Sequence, residues 1–361
     1  LEQGFSYGGP DGTAFPLKDA VSASLKDAQI QGYEFLLRST LSYGAIARSM
    51  NPAGAFDKSM DLVVANMVES FAKRLEAIMM YGQTGLGVVS GVVGLVVSLT
   101  TASYAPGLWS GGVGMRLTAT DSTAATARNS SDVTPFQVTA VSLDNKSVTL
   151  NAVTGIVATD ILWHFGALAA GTLSNMEFLG LKKIMTVSGT LFNISTATYG
   201  DIWKPTEFDC GGTALTFAKI QKSVAQAVGK GLNKDITILV NPRAWDNLLG
   251  DEAALRRYDE TYSSKSVEKG SQSIKFYSQN GVIEIKPSIY VKEGDAFGIP
   301  KDSLMKIGST DVTFKLPGAG EDKFFRQLES NAGVELRSYA DFALFCHEPG
   351  KLILLKNIVN A

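Results

Sequence analysis

Asp57–Gly82 reads DKSMDLVVANMVESFAKRLEAIMMYG. Met60, Val64, Met67, Phe71, Leu75 and Ile78 recur at steps of four and three, which sets them on one stripe of an α-helix. Lys58, Asp61, Ala65, Glu69, Lys73 and Glu76 fall on another face, and Glu69 precedes Lys73 by four residues, the favourable order for a helical ion pair. Asp57 is placed to cap the first amides, Arg74 suits the last turns, and Gly82 can take a left-handed closing conformation. At 1.5 Å per residue the helix is roughly 35–40 Å long. An ordinary long core helix has the same pattern, so the flanking chain decides whether this one is a spine.

Upstream, residues 1–28 hold Gly8, Gly9, Pro10, Gly12 and Pro16 and read as an extended arm that is disordered or wraps a neighbour. Gly32–Met50 has no clean period and reads as a protruding hairpin or an irregular loop. Asn51, Pro52 and Gly54 then punctuate the chain before the helix. Downstream, Gly82–Leu99 (GQTGLGVVSGVVGLVVSL) is the most apolar run. Its apolar part is about fifteen residues, short of the roughly twenty that span a bilayer. Its glycines and β-branched valines favour buried strands turning at Ser90-Gly91 and Gly94, so no membrane span is expected.

Further along, Phe136–Leu143 and Lys146–Leu150 read as strands around a turn at Asp144-Asn145. The preceding TATDSTAATARNSSD reads as an exposed loop, and Gly155-Ile-Val and Asp160–Phe165 supply further strands. From Gly211-Gly212 the pattern turns α/β. Phe217, Ile220, Val224 and Val228 share a helical face, Ile236–Val240 is a buried strand, and Asn241-Pro242 starts a helix carrying Trp245, Leu248 and Leu249. Asp251–Gln272 is polar and reads as a mobile loop. Ser273–Tyr277 and Val282–Lys286 flank Gln279-Asn280-Gly281, a hairpin signal. The C-terminal GVELRSYADFALFCHEPGKLILLKNI alternates at Val334 and Leu336, breaks at Pro349-Gly350, and resumes with Leu352 and Leu354.

With 361 residues the chain is long enough for two or three domains, or for one elongated subunit with insertions. It is 45% hydrophobic and 19% charged, with 36 glycines and a net charge of −2. That supports a real core under a sparsely charged surface, without the basic patch of ordinary nucleic-acid binding. Cys210 and Cys346 lack metal spacing and read as free thiols. The start at Leu1 has no signal-peptide pattern, and it fits maturation cleavage and trimming equally.

No catalytic constellation emerges. Ser266-Val-Glu-Lys269 matches S-x-x-K but lacks its companion motifs, and His347-Glu348 fails H-E-x-x-H because position 351 is Lys. His164 lies in an apolar strand and reads as a core or interface residue. Gly82–Gly87 and Ser110–Gly114 are glycine-rich without the Gly-Lys-Ser/Thr ending of a phosphate loop. The pairs Asp251-Glu252, Asp259-Glu260 and Glu321-Asp322 read as solvated. No catalytic, cofactor-binding or metal-binding residue is therefore assigned, and the role expected is structural rather than enzymatic.

Three segments, in order, carry a resemblance: FAKRLEAIMMYGQTGLG (Phe71–Gly87), DITILVNPRAWDNL (Asp235–Leu248) and ELRSYADFALFCHEPGKLILLKNI (Glu335–Ile358). With Val138–Asn151 standing for a β insertion, the chain resembles the major capsid proteins of tailed bacteriophages (Caudoviricetes). The resemblance implies an α+β fold with arm 1–28 and extended loop 29–56. It implies a P domain at 57–110 and 329–361 with the spine helix at 57–82, and an all-β insertion at 111–166. A connecting segment at 167–210 and an axial A domain at 211–328 complete it. It also implies hexamers and pentamers closing an icosahedral head around double-stranded DNA, met by non-specific contact. The implied partners are scaffold, portal, maturation protease and a decoration protein, with no membrane and no cofactor. The place implied is the virion, assembled in the host bacterial cytoplasm. The alternative is an oligomeric enzyme whose active site forms at subunit contacts, where His164 or Cys210 meets partners from another chain.

Overall fold

The computed structural model describes residues 4–22, 25–44, 55–128, 135–250, 274–315, 325–329 and 331–360, and their side chains except those of 55–62 and 325. The chain's first regular element is the strand β1 (Tyr33–Ser42), followed by the helix α1 (Ala55–Tyr81). Met67, Phe71, Leu75 and Ile78 are buried, as the stripe demands, and Glu69 meets Lys73 at 2.8 Å on the outer side. The side chains of Met60, Lys58 and Asp61 lie outside the described set.

Both ends of α1 differ from expectation. The helix starts at Ala55, so Asp57 sits inside its first turn rather than capping it. At the other end Gln83, not Gly82, is left-handed (φ 64). Gly82 is needed for a close approach instead. A Cβ there would lie 2.4 Å from the Phe178 carbonyl oxygen, and the Gly180 amide donates to the Gly82 carbonyl at 3.1 Å. Two backbones touch where side chains would hold them apart.

Next comes a closed barrel of β2 (Gly87–Val93), β3 (Val96–Leu99), β4 (Arg116–Thr120), β5 (Phe136–Ser142), β6 (Ser147–Leu150) and β7 (Ile161–His164), in the order β2-β3-β6-β5-β4-β7. Val89, Val97, Leu117, Val138, Leu150 and Leu162 fill its core. The apolar run thus becomes β2 and β3 with Gly94 (φ 60) at the turn. Ser90-Gly91 is not a turn; the register slips between Val89 and Gly91, the mark of a bulge inside a continuous strand. The small all-β body therefore begins at Gly87. Among the described residues no helix is long and apolar enough to cross a membrane.

Two loop assignments in the barrel also change. Thr118–Thr120, read as exposed, are buried in β4, where the Trp163 indole N–H donates to Thr120 Oγ1 at 2.9 Å. Small polar residues pass for loop in composition, yet here a hydroxyl satisfies a buried donor. Gly155-Ile-Val is a turn rather than a strand, and only Ile156 reaches the core.

Past the hairpin β8 (Thr190–Leu191) and β9 (Ile194–Ser195) come β10 (Thr206–Thr213), α2 (Phe217–Gly229), β11 (Ile236–Val240), α3 (Pro242–Leu249), β12 (Ile274–Ser278), β13 (Gly281–Pro287) and β14 (Ala296–Pro300). The chain closes with β15 (Leu304–Thr313), β16 (Phe325–Gln327), β17 (Gly333–Cys346) and β18 (Ile353–Ile358). A mixed six-stranded sheet runs β10-β18-β14-β11-β13-β12. Asn241 does two jobs at the start of α3: its Oδ1 accepts from the Arg243 amide at 2.9 Å, and its Nδ2 donates to the Val291 carbonyl at 2.7 Å. Pro242 occupies the first turn, where its missing N–H costs nothing. The Asn280-Gly281 hairpin forms between β12 and β13, with Gly281 at φ 122. Asp251–Gln272 lies outside the described residues.

A second sheet runs β1-β17-β15, with β16 also paired to β17. Tyr33–Ser42 is thus one strand laid antiparallel on β17, not a hairpin with itself. A turn at Pro349–Lys351 passes the chain from this sheet into β18 of the six-stranded one.

Candidate assembly surfaces

The six-stranded sheet is covered on both faces at β18, whereas its β12 edge alternates, with Lys275 and Tyr277 exposed. Ile353 and Leu355 enter the core beneath α2 and α3, while Leu352 and Leu354 enter the core shared with the barrel and the end of α1, and all four are fully buried. The β1-β17-β15 sheet is covered on one. Tyr33, Phe35 and Leu37 of β1, with Ala340 and Phe342 of β17, pack on Phe71, Leu75 and Ile78 of α1 and on Phe178. The alternate residues Glu34, Leu36, Arg38 and Thr40 face outward and are exposed.

The arm is less covered still. Residues 4–22 form no helix or strand and double back, with the Lys18 amide donating to Ser6 Oγ at 2.8 Å. Tyr7, Leu17 and Leu25 are 82%, 80% and 86% exposed. The chain as a whole presents 20203 Å² of accessible surface. A compact monomer of 38.4 kDa would present about 14,000 Å². The surplus of roughly 6,000 Å² exceeds what a standard protein–protein interface removes.

One polar hub ties the bodies together. Lys292–Asp295 lies where the barrel, α1, α3 and the C-terminus meet. The buried Lys292 ammonium stands 4.0 Å over the Tyr81 ring and donates to the Gly85 carbonyl at 2.9 Å, and its amide donates to Tyr81 Oη at 2.7 Å. Burial pulls its pKa down to about 7, with Asp295 opposing and Lys182 adding to the effect. Asp295 is paired with Lys182, and Glu293 meets Lys146 at 2.8 Å and Arg243 at 3.7 Å. The sequence KEGD gives no sign of this; it looks like a solvated turn, and only the convergence of distant segments buries it.

A second buried group sits beside the barrel. Arg74 lies 3.7 Å from Glu177, which with His164, Tyr81, Gly85 and Trp163 lines a cavity of about 10 Å³. Burial brings Arg74 down to about 10 and raises Glu177, while burial and the Arg74 charge push His164 well below its ordinary value. The space is about that of one water, too small for a substrate.

The residues weighed for chemistry are scattered. His164 is buried in β7 and Cys210 in β10, in separate cores. Both cysteines are free, and burial raises Cys210 and pushes Cys346 to about 12, which keeps them as unreactive thiols. Glu348 is held at about 2 by hydrogen bonds from Lys351 and Lys234. The groups Ser266–Lys269, Asp251-Glu252, Asp259-Glu260 and Glu321-Asp322 lie outside the described residues. The described residues contain no cluster of metal-ligating side chains.

No protein-family model matches the chain, and no curated protein does. Three solved capsids resemble it along nearly its whole length. The cyanophage A-1(L) capsid asymmetric unit is 12% identical with a TM-score of 0.49, over 99% of this chain and 85% of that one. The cyanophage Pam1 capsid asymmetric unit is 8% identical with a TM-score of 0.41, over 99% and 83%. The capsid of cyanophage P-SCSP1u is 10% identical with a TM-score of 0.40, over 99% and 80%. With every score below 0.5 the likeness is loose and carries no functional argument.

Proposed function

We propose that the chain is a major capsid subunit of a tailed bacteriophage, a structural protein of the virion that builds hexamers and pentamers of an icosahedral head around double-stranded DNA. The observation that carries this is an unfinished subunit. A sheet whose centre is covered on both faces is joined to a second sheet whose β1 strand is exposed on one face, and to an arm whose apolar side chains Tyr7, Leu17 and Leu25 have no cover among the described residues. Contiguous uncovered apolar surface is unfavourable for a free monomer and is removed when copies pack together. Heterologous contacts whose rotation closes give rings, and an arm that reaches a neighbour adds area beyond the globular body.

In this reading residues 1–28 are the arm and 29–56 the extended loop. The P domain holds α1, β17 and β18, with β1 of the extended loop laid on β17; the barrel holds the β insertion, and α2, β11, α3, β12, β13, β14 and β15 belong to the A domain. Scaffold, portal and maturation protease act on the subunit during assembly in the bacterial cytoplasm, and a decoration protein can add to the finished shell. The net charge of −2 suits a container whose DNA is neutralised by small cations. A role in catalysis has no support, since His164 and Cys210 are sealed from solvent.

Negative-stain electron microscopy with light scattering tests the proposal. Closed particles of uniform diameter, or six- and five-fold rings, are expected. A subunit that stays monomeric or dimeric at high concentration and with crowding agents overturns it.

A further inference from the structure

The outer face of the β1–β17 ladder, exposed along β1 and half-buried at Arg337, Tyr339 and Asp341 of β17, carries its charges in a definite order. Residues directly opposite in an antiparallel pair share a face, and the register sets Glu34 against Asp341, Leu36 against Tyr339, and Arg38 against Arg337. Two carboxylates therefore stand at one end, two guanidinium groups at the other, and an apolar row between them with Leu36 55% exposed. Glu34 and Arg38 are four residues apart, about 13 Å along the strand. Among the described residues neither makes an ion pair or a side-chain hydrogen bond. Asp341 accepts from Ser309 Oγ at 2.5 Å, and Arg337 is paired with Glu335.

Like charges directly opposite each other weaken the strand pair that carries them. Here there are two such pairs of opposite sign, equally spaced from the Leu36–Tyr339 row. We propose that this face docks on the same face of a second copy of the chain, about a two-fold axis running across the strands along that row. The operation carries position 34 onto 38 and position 341 onto 337. Glu34 of one copy then faces Arg38 of the other, Asp341 faces Arg337, and Leu36 and Tyr339 meet their own counterparts. The other two-fold, along the strands, would set acid on acid and base on base. Charge selects between the two, which is the role electrostatics plays best at interfaces. This deepens the reading of the chain as an assembling subunit and rests on it.

The test uses three variants of two exposed positions. Glu34→Arg alone leaves only basic groups at the first contact, and Arg38→Glu alone leaves only acidic ones. Each is expected to keep its circular dichroism and to need roughly thirtyfold more protein to self-associate, read by light scattering. An equimolar mixture of the two restores both attractions, so association should return to near the wild-type threshold, with mixed species in native mass spectrometry. The double variant Glu34→Arg/Arg38→Glu should recover as well. Single variants that associate like wild type, or a mixture that fails to recover, overturn the proposal. Wild-type shells with unaffected variants would remove this contact but leave the capsid reading standing. Charge-matched pairs that never progress to rings or shells would do the reverse.

Discussion

β17 and β18 are consecutive strands of one C-terminal segment, separated by a single turn, yet they live under opposite conditions. In β18 every residue from Ile353 to Leu355 is fully buried, because helices cover one face and the barrel with α1 covers the other. In β1 burial alternates, because α1 covers one face and among the described residues the other side stays exposed, while the outward positions of β17 are half-buried apart from the buried Glu335. The β18 sheet is stabilised by its own subunit. The β1-β17-β15 sheet is complete only as far as the subunit can fold alone, and what it leaves open is available to a neighbour.

Paired substitutions sharpen that contrast. Ile353→Ala removes three carbons from a fully buried site and should cost about 3 kcal/mol, including the cavity left behind. Leu36→Ala, in the middle of its own strand, should change stability by no more than about 0.5 kcal/mol because its side chain is mostly in water already. Urea denaturation of the isolated subunit measures both. Equal losses at the two positions would mean that the outer face of β1 is covered within the chain, and the contrast would fail.

A smaller effect comes from the hub that holds these regions in one body. Lys292 gives up its proton near pH 7 in the folded subunit, against 10.5 for an ordinary lysine. Between those values the unfolded chain binds more protons than the folded one, so stability rises with pH across the window and falls on acidification toward 7. The gain between pH 7 and 9 is about 2 kcal/mol. Lys292→Met keeps the stem under the Tyr81 ring and removes the charge, so its stability should be flatter over the same range. Parallel pH profiles for the two proteins would show that Lys292 is not buried in this way.

The sequence revealed local elements best where one short-range pattern decided them. The stripe from Met67 to Ile78, the Asn241-Pro242 helix start and the Asn280-Gly281 hairpin each depend on residues a few positions apart. Where a segment's fate depends on distant chain, the reading missed or mistook it. Thr118–Thr120 looked like loop because nothing nearby announces the Trp163 indole that needs a hydroxyl. Tyr33–Ser42 alternates in burial, but the outward Leu36 and the inward Ser39 break the alternation in the sequence, and its partner strand lies about three hundred residues on. Gly82 sits where a helix-closing residue is expected, yet its constraint is the close backbone of Phe178 and Gly180. The charge order on β1 and β17 was invisible for the same reason, because it exists only once the register brings Glu34 to Asp341 and Arg38 to Arg337.

The smallest effect on stability should come from the arm, together with a large effect on assembly. Ala28 and Ile30 pack against the core, and the Gln29 amide donates to the Phe192 carbonyl at 3.0 Å, so among the described residues the arm is anchored at its end. Before that point Phe5, Tyr7, Leu17, Val21 and Leu25 are exposed and contribute little to folding. Deleting residues 1–25 should therefore leave the midpoint of thermal unfolding within about 1 °C, which for a chain of 361 residues is below about 1 kcal/mol. The same deletion should abolish or strongly delay shell formation, because the apolar side chains it removes gain cover only from another copy. A marked fall in the unfolding midpoint would place the arm among the parts that stabilise the monomer. Normal shells would show that neighbours do not need it, and the incompleteness of the subunit would then reside in the β1 face alone.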